Sequence, residues 1–172
     1  GGFTGAERHL GEISLECTRS GAAAAALWAT LQAIPLVADG GLGDLLAAGR
    51  RAALGWAAAL ARSTRLRLLL PPATDILVFA PLGMGERVAA SALSARTDAL
   101  FVAAMADPIE PVYLAKIRVD RAQVAAHWPE VGGDEDSVTL LRSVVMKPDH
   151  ERWWPRLHER LERLAVSLFT AP

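Results

Sequence analysis

The chain has 172 residues, of which 52% are apolar and 22% charged, with a formal net charge of -1. That apolar content excludes a disordered chain, and the balanced charge with only two lysines, Lys116 and Lys147, argues against a nucleic-acid partner. Mean hydropathy is positive at +0.24 and alanine supplies roughly a fifth of the residues, so the chain either packs very closely or hides apolar surface against something else.

The first residue is Gly1, and Gly1 to Glu12 is polar and glycine-rich, without the pattern of a signal peptide. The single cysteine, Cys17, cannot form an internal disulfide and reads as a small buried residue, so a cytoplasmic setting is expected. Ile13 to Glu16 suits a short strand. Thr18 and Ser20 then offer capping oxygens to a helix that runs through five alanines to about Ile34, where Pro35 forbids continuation. The uncharged stretch Ala22 to Ala38 contains Gln32 and Pro35 and falls short of the ~20 apolar residues of a membrane span. It is read as a buried helix, and no membrane association is expected.

A second helix is expected from Leu42 to Ala61, with Leu45, Leu46, Ala53, Leu54, Ala57 and Leu60 as its apolar stripe; Gly49 and Gly55 weaken it. Leu66 to Leu70 and Ile76 to Ala80 read as strands separated by Pro71, Pro72 and a reversal near Asp75. A third helix fits Glu86 to Ala106, with Val88, Leu93, Leu100, Phe101 and Ala104 inside. Val112 to Val119 alternates as a strand. A connecting segment with Trp128 leads to the acidic turn Gly132 to Asp136, read as a solvated loop. Val138 to Met146 is a further strand, and the last helix spans Asp149 to Leu168, with Trp153, Leu157, Leu161, Leu164 and Leu168 on one face and Glu159 and Arg163 paired on another. The order suggests an α+β layer, a mostly antiparallel sheet with helices on one face, to which residues 1–38 do not belong by composition.

Several chemistries find no support. His9, His127, His150 and His158 are scattered without zinc-type spacing, and no phosphate-loop motif occurs; Gly83, Met84 and Gly85 make only a loop. What remains is arginine. Arg50, Arg51, Arg62, Arg65 and Arg67 lie in a stretch without an acid and form a basic side. Arg142 interrupts an apolar strand, so its guanidinium must find a carboxylate or phosphate, either an acid of the last helix or a ligand. Arg19, between Thr18 and Ser20 at a helix start, is either part of an anion site or an exposed residue beside a capped helix.

The segment GEISLECTRSGAAAAALW, Gly11 to Trp28, resembles the Leu-Glu-Gly-Ser-Arg-x-Gly stretch of the group II pyridoxal-phosphate-dependent amino-acid decarboxylases. DILVFAP, PVYLAKIRV and VTLLRSVVMKPDH follow in the order of that family's C-terminal part. The resemblance implies a fold-type-I enzyme, a homodimer with its active site between subunits, and a pyridoxal 5'-phosphate cofactor on a lysine that follows a histidine. It divides the chain into residues 1–38, the end of the large cofactor-binding domain with its connecting helix, and 39–172, the small α+β domain. It places Thr18 at the cofactor phosphate, Arg19 in the same motif, and Arg142 on the carboxylate of the amino-acid substrate, where a planar fork binds bidentately. The usual glycine is replaced by Cys17. No His-Lys pair occurs and neither Lys116 nor Lys147 suits the Schiff base; the family's mobile-loop tyrosine is also absent, Tyr113 being the only tyrosine. The expectation is therefore the C-terminal part of a decarboxylase of amino-acid metabolism, inactive alone. Two alternatives stand beside it, a noncatalytic α+β interaction or regulatory module and an aminotransferase-like relative.

Overall fold

The computed structural model describes residues 21–169, so Cys17, Thr18, Arg19 and the strand expected at Ile13 to Glu16 lie outside the described residues. Two compact units follow one another, the first ending at Asp44 and the second beginning at Leu45.

In the first unit, helix α1 spans Gly21–Ala33 and contains no buried residue. The burial expected for this stretch is not found among the described residues: Leu27 and Trp28 are exposed, as are Leu36 and Val37 beyond the helix. Helix α1 is apolar on every side and carries no single buried stripe, a composition that suits a helix covered all round. After Pro35 the chain turns back on itself, with the Leu42 amide donating to the Pro35 carbonyl and the Gly40 amide to Asp44 Oδ2. Gly40 has φ +78°, a left-handed conformation that glycine adopts without strain.

Helix α2, Leu42–Leu60, leads into the second unit. Its buried side is made by Ala48, Ala52, Ala53, Trp56, Ala57, Ala59 and Leu60, whereas Leu46 and Leu54, expected in the stripe, are exposed. The small residues let α2 lie close to its neighbours: a side chain at Gly49 would stand 3.0 Å from the Val145 carbonyl oxygen. Strands β1 (Arg67–Leu68) and β2 (Ile76–Ala80) follow, then β3 (Val88–Ala89) and helix α3 (Ala90–Ala106). The single helix expected from Glu86 thus starts with a short strand and becomes helical only at Ala90. Strand β4 (Ala115–Asp120) ends on Asp120, whose carboxylate accepts from the Ala122 amide and caps helix α4 (Arg121–His127). The sequence reading has no helix there because the segment is too short for a periodic pattern to show. Strands β5 (Val131–Gly132) and β6 (Ser137–Val144) and helix α5 (His150–Phe169) complete the chain.

The main sheet is four-stranded and antiparallel in the order β1-β2-β6-β4, and β3 pairs with β5 in a separate parallel ribbon. This mixed helix and sheet architecture agrees with the expected α+β class. Strand β6 is the axis: it pairs with β2 on one side (Phe79 with Leu141, Val78 with Arg142) and with β4 on the other (Leu141 with Lys116, Arg142 with Ala115). One core cluster joins Leu77, Phe79, Leu141 and Val145 to Trp56 of α2, Leu100 and Ala104 of α3, and Leu161 and Ala165 of α5. A second gathers Ala80, Val138 and Leu140 under Val124, Trp128, Val131 and Leu93. Along α5 the inward side is Trp154, Leu157, Leu161, Leu164, Ala165 and Phe169; Trp153 and Leu168, expected inside, are exposed.

Trp56 is fully buried, with its ring 5.7 Å from that of Phe79. Trp56→Ala is expected to lower the unfolding free energy by about 3–5 kcal/mol in a denaturant titration; a loss below about 1 kcal/mol would place the core elsewhere. His158 on α5 is half-buried, and its pKa is lowered by that burial, with Glu162 opposing and Arg62 adding to the shift. A histidine held neutral in the folded state contributes stability above the unfolded pKa, near 6.5, which is lost as pH falls through the folded value. Stability is therefore expected to decline below about pH 6.5, and His158→Gln to flatten that decline. An unchanged slope in the variant would remove His158 as its source.

Candidate functional site

Paired strands share side-chain direction across a ladder, so the two faces of the sheet follow from the register. Leu141 and Val145 point into the helix-side cluster, and Arg142 and Val144 point the other way, beside Val138 and Leu140. On that opposite face the cross-strand neighbours of Arg142 are Val78 and Ala115, and those of Val144 and Leu140 are Ile76 and Ile117. The second cluster covers the Val138 end. The other end is open, with Ile76 41% exposed and Val78, Ala115 and Val144 half-buried.

Arg142 therefore stands in an apolar surround. Its side chain is half-buried, its Nε is buried without a hydrogen-bond partner, and among the described residues it enters no ion pair. The acids of the last helix do not reach it. Glu151 accepts from Arg51 at 2.7 Å, Glu159 from Arg163 at 2.6 Å, and Glu162 lies 3.8 Å from His158. Alternation explains this, because α5 packs on the helix-side cluster and Arg142 leaves β6 on the opposite face.

The other arginines behave differently. Arg67 pairs with Glu130 and lies 5.7 Å from the centre of the Trp128 ring; Arg51 pairs with Glu151; Arg50 donates to the Pro72 carbonyl. The stretch without acids is thus neutralised in part by acids distant in sequence. Arg67 and Glu130 also line a cleft of about 830 Å³ with Arg87, Gly132, Gly133 and Asp134. Asp134 accepts from both the amide and the hydroxyl of Ser91, which holds its carboxyl below the ordinary value and caps α3. The acidic turn read as solvated therefore anchors a helix start. Its charge pattern alone carries no trace of that role, since the partner lies 43 residues away.

Neither lysine fits a covalent cofactor site. Lys116 projects to the helix side of β4, with Nζ 2.6 Å from Asp98 Oδ1 and 4.9 Å from the centre of the Phe101 ring. Lys147 follows β6, and its backbone amide donates to His150 Nδ1. Among the described residues no group of three or more His, Cys, Asp and Glu side chains could hold a metal ion, and no helix is long and apolar enough to cross a membrane.

No family model and no curated protein matches the chain in sequence. Among solved structures the fold is similar to the crystal structure of the glutamate decarboxylase domain of diaminobutyrate-pyruvate transaminase and L-2,4-diaminobutyrate decarboxylase from Vibrio parahaemolyticus. The TM-score is 0.55 at 19% identity, with 83% of this chain and 25% of that chain covered. The chain thus spans about a quarter of that protein's length, and the likeness is one of fold.

A partly buried cation without a partner costs stability. Arg142→Met, which keeps the length and removes the charge, is expected to raise the unfolding free energy by about 0.5–2 kcal/mol in urea. A loss of stability of about 1 kcal/mol or more would make the guanidinium a structural group.

Proposed function

We propose that this chain is the C-terminal part of a pyridoxal-phosphate-dependent carboxy-lyase that decarboxylates an L-amino acid, and that Arg142 holds the substrate carboxylate. The observation that carries the reading is the unpaired guanidinium of Arg142 on an open apolar sheet face. The similarity of fold to a decarboxylase domain and the resemblance of the Leu15–Gly21 motif support it.

On this reading residues 1–38 end the large domain, 39–172 form the small one, and Thr18 and Arg19 serve the cofactor in a site shared between the subunits of a homodimer. The described residues do not themselves fit pyridoxal phosphate, for want of a suitable lysine. What they contribute is the clamp. A planar guanidinium donates two parallel N–H bonds to a carboxylate, so it fixes both the position and the rotation of the group. Val78, Ala115 and Val144 around the guanidinium are apolar and offer no competing acceptor side chain, so a carboxylate that binds there meets no rival protein group. Orientation matters for this reaction because the bond to be broken joins that carboxylate to the α-carbon.

The test uses the full-length polypeptide that contains this chain. Arg142→Ala is expected to raise KM for the amino-acid substrate by about 10- to 150-fold, the range for losing a hydrogen bond to a charged group, and Arg142→Lys to recover only part of it. An unchanged KM would remove Arg142 from the site. Absence of carbon dioxide release from every L-amino acid tried would overturn the decarboxylase reading.

A further inference from the structure

The segment before β1, the connection between β2 and β3, helix α3 and the last turns of α5 meet around a smaller pocket. It is a cavity of about 220 Å³ whose walls include Arg65, Gly83, Glu86, Arg96, Ala165 and Phe169, and none of its lining residues lies on β4 or β6. Its only acid, Glu86, is engaged on both carboxylate oxygens. Oε1 accepts from Arg96 Nη1 at 2.6 Å, and Oε2 accepts from the Gly83 amide at 3.0 Å. Burial acts to raise the Glu86 pKa, but those two hydrogen bonds and the charges of Arg96 and Arg65 together hold it below the ordinary carboxylate value, so Glu86 is ionised at neutral pH. Arg65 is half-buried and near enough for its charge to act on Glu86, yet among the described residues its guanidinium enters no hydrogen bond or ion pair. The pocket thus sets two guanidinium groups against one carboxylate. The acids of α5 in the turns before Ala165 do not correct that excess, because Glu162 lies 3.8 Å from His158 and Glu159 accepts from Arg163.

A half-buried cation with unused donors is costly unless an anion meets it. Arg96 commits one nitrogen to Glu86 and Arg65 commits none, so donors remain on both planar forks. The cavity has the liquid share of about seven water molecules, enough for a four-oxygen anion and too little for a large ligand. Ala165 and Phe169 supply no acceptor side chain that would compete with it. We infer that this pocket is an oxyanion site in which Arg65 and Arg96 bind a phosphate group, either inorganic phosphate or the end of a small phosphate ester. Guanidinium forks meet phosphate oxygens in pairs, and a dianion more than balances the excess charge. The site goes beyond the proposed reaction and does not depend on the role of Arg142.

The full chain is titrated with inorganic phosphate and, separately, with glycerol 3-phosphate, followed by calorimetry at an ionic strength held constant with sodium chloride. Saturable binding of phosphate is expected with a Kd of about 1 mM or tighter. Arg65→Gln is expected to weaken it about 10-fold or more, the effect of losing a hydrogen bond to a charged group. Arg65→Lys keeps the charge without the fork and is expected to show a smaller loss, which preserves the test should the first variant fail to fold. Arg142→Gln, which removes the other candidate anion site, is expected to leave this binding in place. An affinity for glycerol 3-phosphate at least equal to that for phosphate assigns the pocket to the phosphate group of an ester, and a lower one to the free anion. No saturable binding of either, binding that persists undiminished in both Arg65 variants, or binding lost with Arg142→Gln instead would overturn the inference.

Discussion

Strand β6 is hydrogen-bonded on both sides, to β2 and to β4, and both of its faces carry core residues. That double constraint leaves its register no freedom. A slip of one residue would carry Leu141 and Val145 out of the helix-side cluster and drive Arg142 in among Trp56, Phe79 and Leu161. The position of the Arg142 guanidinium on the sheet is therefore dictated by the packing of its apolar neighbours. It points away from α2, α3 and α5 because Leu141 and Val145 have to point toward them.

The treatment of charge elsewhere sharpens the contrast. Arg160 pairs with Asp107 and Glu110, Arg96 with Glu86, Arg67 with Glu130, and Lys116 with Asp98. These pairs tie loops to helices and strands to helices across the second unit, and where the groups are exposed each adds little to stability. Arg142 is held by none of them, although its Nε is buried. A cation kept this way weakens the fold, and on the proposed reading it is binding that retains it.

Much of this arrangement was legible in the residues. Ile76 to Ala80 is a strand over the expected span, and the expected strand Val138 to Met146 overlaps β6 from Val138 to Val144, because alternating and continuous apolar runs bounded by proline and glycine leave little choice. The Glu159 and Arg163 pair on α5 also forms as expected. Less legible was anything decided by tertiary contact. Trp56 replaces the expected Leu46 and Leu54 in the core because α2 turns its alanine side, not its leucine side, to the sheet. Trp154 likewise replaces Trp153 on α5. The capping of α3 by Asp134 and the pairing of Arg67 with Glu130 join segments far apart in sequence, and no local pattern signals them. The interruption of an apolar strand by Arg142 did signal a partner to be sought. It could not say which, and the geometry removes the acids of the last helix from the choice.

The central claim is that the Arg142 guanidinium has no partner among the described residues and accepts a carboxylate from outside them. Its Nε–H signal in a proton–nitrogen correlation spectrum of the full chain, assigned through its disappearance in Arg142→Lys, reads this directly. On addition of acetate, a saturable shift of that signal with slower exchange with water is expected. A signal that does not move at saturating acetate would contradict the account.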